Sequence, residues 1–378
     1  MFKLRDTQLL KRRAGAEDLP AGTPRPPSRS LAFSLQFTNL GVLIALLIFF
    51  GIVAPGFTST ISITNILNAT AVVLLLALGE TFILVAAGID LSVGSMLSLG
   101  GVAAASYMSG AYAHSHGGAW GITIVGILIG SGVGLVGGVF NGAAIAYLKL
   151  NPLIVTLGTY GVFLGLADLI SNGLPIENLP PSSFTLGNGT IFNIPYIALI
   201  ALAFAIVLSL VMKHTRFGVW TYAIGANRES VRRAGVNLNR HSMLLYGLCG
   251  MLAGLAGVLN AIHFSSAESS AGANDLLVAI AAVVIGGTPI TGGEGKIWGT
   301  VIGALIYTLL ENGFVLMNVS AFWQLVVIGF LVMLAVYVDN YQRQLRAAVG
   351  AVSRLEVAPP APAGQGDSPP SLSPPDGG

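Results

Sequence analysis

Residues 120–147 read WGITIVGILIGSGVGLVGGVFNGAAIAY, with no charged side chain anywhere in the stretch. Crossing a bilayer takes about 20 largely apolar helical residues, so this segment is long enough to span. Gly126, Gly130, Gly134, Gly138 and Gly142 recur at every fourth position within it. Positions four apart fall on nearly one face of a helix. The spacing therefore predicts a stripe without side chains, against which a second backbone can close. Gly132, Gly134 and Gly137 also spell G-x-G-x-x-G. That motif binds dinucleotides only between a strand and a helix amino terminus, and here it lies inside an apolar helix.

The rest of the chain follows the same composition. Of 378 residues, 54% are hydrophobic and 9% charged, against about a quarter charged in soluble domains. So few charges cannot coat a globular surface of this size. Ten apolar stretches are candidate spans: 38–55, 66–87, 93–110, 120–147, 152–172, 194–213, 241–264, 275–287, 297–316 and 321–338. The eighth is too short to cross unaided and runs into a Gly-rich break at 286–295. A similar break, Gly88-Ile89-Asp90-Leu91-Ser92-Val93-Gly94, follows the second. Interrupted helices persist at membrane depth only where protein or a water-filled cavity surrounds them. The expected fold is an all-α polytopic membrane protein of about ten transmembrane helices, with a broken helix in each half. Matching spans two to five with seven to ten gives an inverted repeat, a frequent transporter architecture. A basic arm, 1–37, precedes the transmembrane domain, 38–340, and a tail at 341–378, rich in Pro and Gly from Val357, follows it; that tail composition cannot bury a core.

Charge supports the count. With the amino terminus inside, the inner segments hold seven, none, one, six, one and three of the 18 Lys and Arg residues, in order, and the outer loops hold none. That asymmetry is the positive-inside pattern, and it places both termini in the cytoplasm. The richest inner loop is 214–240. Asn227 is a good N-cap, Glu229 suits a first helical turn and Gly235 suits the position after the end. A short helix, Arg228–Ala234, is expected there, exposing Glu229, Arg232 and Arg233. A basic turn drawn to anionic lipid is the alternative.

Four acids lie in or near spans: Glu80, Asp90, Asp168 and Glu311. A charge in the membrane is costly, so each is a functional candidate, with a cap, an interhelical hydrogen bond or a protonated acid as structural alternatives. Glu80 and Glu311 read as the deepest. His114 and His116 lack a third ligand for a metal. Cys249 stands alone in an apolar run. No nucleophile sits beside a base, nothing indicates a cofactor, metal or nucleic-acid partner, and the chain carries no nucleotide-binding loop.

Gly79–Gly94, containing the G-I-D-L-S-V-G segment, resembles the permeases of ribose-type ATP-binding-cassette sugar importers. Asn151-Pro152-Leu153-Ile154-Val155-Thr156-Leu157-Gly158-Thr159 is similar to a second shared block, Ala223–Asn227 with Ala234–Val236 to the family's coupling loop, and Gly286–Thr300 to a fourth. The resemblance implies two permeases, identical or related, on two cytoplasmic ATPases, with a periplasmic or lipid-anchored binding protein delivering a monosaccharide or similar polyol. It implies a multi-pass protein of the bacterial plasma membrane that is not itself an enzyme. Glu80, Asp90, Ser92, Asn151, Thr156, Thr159 and Glu311 are then candidates for the transport pathway. Asn227, Glu229, Arg232, Arg233 and Gly235 are candidates for coupling to the ATPase. Glu80 departs from the apolar neighbourhood usual in the family. A permease for branched-chain amino acids or another small polar solute is the close alternative; an ion-coupled carrier using Glu80 or Glu311 as a relay is the distant one.

Overall fold

A computed structural model describes residues 29–114 and 119–327, and positions 329, 330, 333 and 337. The chain divides into two units. One is Ser34–Asp339; the other, Met1–Phe33 with Asn340–Gly378, lies outside the described residues apart from the start of the first helix. The expectations for the arm and the tail therefore fall mostly on undescribed residues. Helix α1 is Arg29–Val53.

The order continues with α2 (Thr60–Val85), α3 (Val93–Ala113), α4 (Ala119–Tyr147), α5 (Pro152–Ser171), α6 (Pro181–Asn188), a two-stranded ribbon of β1 (Thr190–Ile191) and β2 (Ile194–Pro195), and α7 (Tyr196–His214). Then come α8 (Arg216–Ala226), α9 (Arg228–Arg233), α10 (Leu238–Phe264), α11 (Asp275–Ile285) and α12 (Ile297–Leu316). Six of these, α2, α4, α5, α7, α10 and α12, are long and apolar enough to cross a membrane, and α11 and the Asn39–Val53 part of α1 are shorter apolar helices. Residues 321–327, at the start of the tenth expected span, are helical. Two elements were not expected: α6 with its ribbon, which runs from the outer loop 173–193 to Pro195, and α8 in the inner loop. Both helices are short, without the apolar length that marks a span.

Helix α2 is the axis of the bundle. Every residue from Thr70 to Val85 is buried, which is what an all-round apolar helix requires. It packs against α7, α10, α11 and α12. Toward α12 the contacts are hydroxyl to hydroxyl or amide: Ser62 Oγ donates to Asn312 Oδ1 at 2.8 Å, Thr70 pairs with Thr308 at 2.6 Å and Thr81 with Thr300 at 2.7 Å. Such interhelical bonds are worth about 0.6 kcal/mol each in a membrane protein.

The glycine stripe of α4 closes on α10. A methyl group at Gly134 would lie against the Gly250 carbonyl, one at Gly138 against Tyr246, and one at Gly142 against the Met243 backbone. Gly126 instead faces Met108, and Gly130 faces Gly100 of α3 and Val258. Gly250 and Gly254 are thus the other half of the stripe, and Gly299 and Gly303 play the same part against Gly286 and Ala282. Gly132 meets open space, in keeping with the rejected nucleotide motif.

The two Gly-rich breaks are not counterparts. They touch: Gly293 N–H donates to the Val85 carbonyl at 2.8 Å, and Gly292 packs on Ala87. Both lie at one end of the bundle, whereas segments matched by an inverted pairing of spans two to five with seven to ten would lie at opposite ends.

Candidate functional site

Polar and charged groups gather in three places. The first is the break after α2. Asp90 Oδ1 accepts from Ser92 N–H at 2.9 Å and from Ser92 Oγ at 2.6 Å, and Asn141 Nδ2 of α4 donates to Ser92 Oγ at 2.8 Å. Tyr246 of α10 donates to the Ile89 carbonyl at 3.0 Å. Asp90 and Ser92, both buried, therefore tie the break to α4 and lead the chain into α3. Glu80 is fully buried one turn before the end of α2, and neither of its oxygens has a hydrogen-bond partner. Asp90, Tyr246 and Cys249 surround it.

The second place is the inner loop. Asn227 caps α9 by accepting from Ser230 N–H at 2.9 Å, and Gly235 takes a φ of +82°, where a side chain would be strained. Glu229 accepts from Arg232 at 2.8 Å and from Arg233 at 3.1 Å, all three exposed. Those hydrogen bonds hold the Glu229 carboxyl below the usual carboxylate range. The depressed value makes the pairing a contribution that is present at neutral pH and lost as the pH falls through it.

Helix α8 joins α9 to both breaks. A methyl group on Gly225 would collide with the Val85 carbonyl and Gly293 N, so α8 lies directly on the junction. Tyr222 donates to the Gly295 carbonyl at 2.7 Å, and Thr221 pairs with His241 of α10 at 3.0 Å. Backbone contact thereby connects α8 to both breaks. Removing the Tyr222 hydroxyl forfeits a hydrogen bond of about 1 kcal/mol. On the importer role that the sequence resemblance implies, Tyr222→Phe is expected to lower solute moved per ATP hydrolysed several-fold, with expression and basal ATP hydrolysis unchanged; paired uptake and phosphate-release measurements check this.

The third place is a cavity of about 860 Å³ between α2, the end of α10, the start of α11 and the later half of α12, closed on one side by 175–177 and 266–271. Its polar lining is Asn65, Asn68, Glu177, Asn260, His263, Ser266, Glu268, Asp275, Thr308, Glu311 and Asn312. Pockets for small ligands commonly measure about 300–1,000 Å³, so a monosaccharide fits. Glu311 is half-buried and faces this cavity rather than sitting deep in a span.

Of the pathway candidates, the cavity takes only Glu311. Asn151 is exposed and caps α5 through Leu153 N–H at 2.9 Å. Thr156 and Thr159 bond back to carbonyls of their own helix. Asn65, Asn68, Asp275 and Asn312 were missed. Two amides three residues apart in an apolar helix, and Asn312 beside Glu311, were the available signal. Among the described residues no group of three His, Cys, Asp or Glu side chains could hold a metal ion.

Residues 62–336 match the family model described as branched-chain amino acid transport system / permease component. The chain belongs to that family. Its relatives include the ribose import permease RbsC of Bacillus subtilis, 38% identical over 304 residues that make up 80% of this chain and 91% of the relative. The D-allose transport system permease AlsC of Escherichia coli is 33% identical over 305 residues, 80% of this chain and 90% of the relative. A probable ABC transporter permease, y4mJ of Sinorhizobium fredii, is 33% identical over 319 residues, 84% and 93%. No solved structure matches. This permease is a multi-pass inner-membrane subunit of an ATP-binding-cassette importer and not an enzyme: ATP hydrolysis belongs to a separate ATPase, and a substrate-binding protein completes the importer.

Proposed function

We propose that this permease carries a neutral monosaccharide or similar polyol through the cavity between α2, α10 and α12. The observation that carries the reading is the cavity itself: it is sugar-sized, and four carboxylates and four amides line it. Relatives named for ribose and allose support the substrate class. The cavity is the outward vestibule, because Glu177 and Glu268 stand on segments assigned outside by the positive-inside pattern. Helix α9 is the coupling helix, with Asn227, Glu229, Arg232, Arg233 and Gly235 shaping it for the ATPase. A second permease copy completes the transporter.

Ten spans and the inverted repeat belong to the same reading. Its support is the exchange of packing partners: α10 packs on α3 and α4 as α2 packs on α11 and α12, and α3 meets α4 as α11 meets α12. Helices α2, α3 and α4 thus correspond to α10, α11 and α12. On this pairing, the break after α2 corresponds to the turn before α11.

The test is uptake by proteoliposomes holding the permease, its ATPase and its binding protein. Labelled ribose or allose should accumulate with ATP, and leucine should not. Glu311→Gln should cut sugar uptake at least several-fold while the complex still assembles. Leucine accumulation without sugar accumulation would overturn the reading. Sidedness has its own check: a cysteine placed at Phe192, on the ribbon turn, should react with impermeant reagents in intact cells, and one at Ser230, on α9, only in inverted membrane vesicles.

A further inference from the structure

Helix α8 has two unlike faces. Gly218, Thr221 and Ile224 are buried, and Gly225 rests on the end of α2 and on the second break. Arg216, Val219 and Trp220 are exposed, Val219 by 59% and Trp220 by 37%. Residues three and four apart share a helix face, so a guanidinium, an isopropyl group and an indole stand together. The Trp220 ring meets His241 of α10 edge-on, with centroids 6.1 Å apart, and Thr221 bonds the same histidine. That seats α8 against the first turns of α10, where the exposed residues are Arg240 and Leu244. Only Thr215 separates α8 from α7, a helix long and apolar enough to cross a membrane and ending on exposed Lys213 and His214. The outward face of α8 therefore starts where the apolar length of α7 runs out, at the level of lipid headgroups.

Charge decides what covers this face. From Lys213 to Arg240 the sequence holds six Lys and Arg and one acid, Glu229. Glu229 is taken by Arg232 and Arg233 of α9, so Lys213, Arg216 and Arg240 find no carboxylate within their own segment. We infer that the outward face of α8, with Arg240 and Leu244, binds the headgroup of an anionic phospholipid in the adjoining leaflet, the cytoplasmic one by charge asymmetry. Lys213, Arg216 and Arg240 bring positive charge to its phosphate, and Val219, Trp220 and Leu244 lie along the start of its acyl chains. Long basic side chains keep their stems in apolar surroundings while the charged ends stay with water and headgroups. Tryptophan settles at the same depth, and each basic group there adds to the pull of an anionic surface. The inner loop thus serves two surfaces, α9 the ATPase and α8 the membrane. Because the other face of α8 touches Val85 and Gly293, a bound lipid steadies the helix that joins the two breaks. The inference is independent of which solute is carried.

Tryptophan fluorescence reads the site directly. The full-length chain has four Trp residues. One variant keeps Trp220 alone, the others replaced by Phe. A reference variant keeps only Trp120, 53% exposed at the start of α4. Each is reconstituted in bilayers of equal parts phosphatidylglycerol and phosphatidylcholine, with bromine on the acyl chains of one lipid or the other. The ratio of quenching by the glycerol lipid to quenching by the choline lipid should be roughly fivefold higher at Trp220 than at Trp120, as expected for two or three basic groups at an anionic surface. Lys213→Gln with Arg216→Gln and Arg240→Gln should bring the two ratios within about twofold of each other. Raised salt should do the same with every native charge in place, which separates lost binding from a damaged fold. Equal ratios at both positions, or a preference indifferent to both the substitutions and salt, would overturn the site. Displacement by soluble glycerol phosphate would overturn the lipid and leave a free-anion site. Loss of the preference when ATPase subunits lacking tryptophan are added would overturn it too, giving this face to the ATPase.

Discussion

Gly134→Leu is expected to abolish accumulation of folded permease. Gly134 sits where α4 and α10 run backbone to backbone, and a Cβ there would fall well inside the 3.0 Å that real Cβ atoms keep from neighbours. The obstructing atom is the Gly250 carbonyl oxygen, part of a helix backbone rather than the end of a flexible side chain. Overpacking by a few methylenes already costs typically 1–3 kcal/mol when side chains can yield, and here the helices must part. Separation of α4 from α10 also opens the neighbouring contacts at Gly138 and Gly142. The effect should appear as loss of monodisperse protein after detergent extraction. Gly132→Leu, two residues away and facing open space, should extract normally. Equal behaviour of the two variants would mean that the glycine seam does not hold the bundle together.

Val231→Pro is expected to silence transport while leaving the membrane bundle intact. Val231 is the buried residue of α9 and its N–H donates to the Asn227 carbonyl at 3.3 Å. Proline removes that donor and its ring meets the carbonyl four residues back, a cost of about 3 kcal/mol. The helix has little to spend against this. Its ion pairs are exposed, and exposed pairs contribute about 0–1 kcal/mol, so the Asn227 cap and the Val231 anchor hold most of it. With α9 disordered, α8 no longer receives a push to relay to the Val85–Gly293 contact. Uptake should fall more than tenfold, and stimulation of the ATPase by loaded binding protein should vanish while basal hydrolysis persists. Arg232→Ala with Arg233→Ala should give a weaker form of the same defect, since it leaves cap and anchor in place. Normal uptake by the proline variant would refute the coupling role of α9.

The membrane class, the order of the long helices and the α4 stripe were legible because they are properties of runs and periods. An apolar stretch of sufficient length needs no partner to declare itself, and neither does a glycine at every fourth position. The cap of α9 was legible for the same reason: Asn227 and Gly235 act on their own neighbours. The match of the two Gly-rich breaks failed because local composition records that a helix stops, not what the freed ends meet. Helix α8 was missed because its register is set by Gly225 fitting over Val85, a contact with α2 far away in the chain.

The cavity shows the same division. Glu311 could be picked out as an acid in an apolar span, but so could Glu80, and nothing local tells them apart. Tertiary packing does: Glu80 is enclosed by α2, α10 and the first break, while Glu311 turns into a space shared with α2, α10 and α11. The sequence by itself determined that this is a membrane-spanning helical protein with one basic, capped loop, since hydrophobic length, charge asymmetry and capping are local quantities. Which polar residues face a common space was decided only by the tertiary structure. A cavity is made of surfaces from distant segments, and its chemistry exists only once those segments have packed.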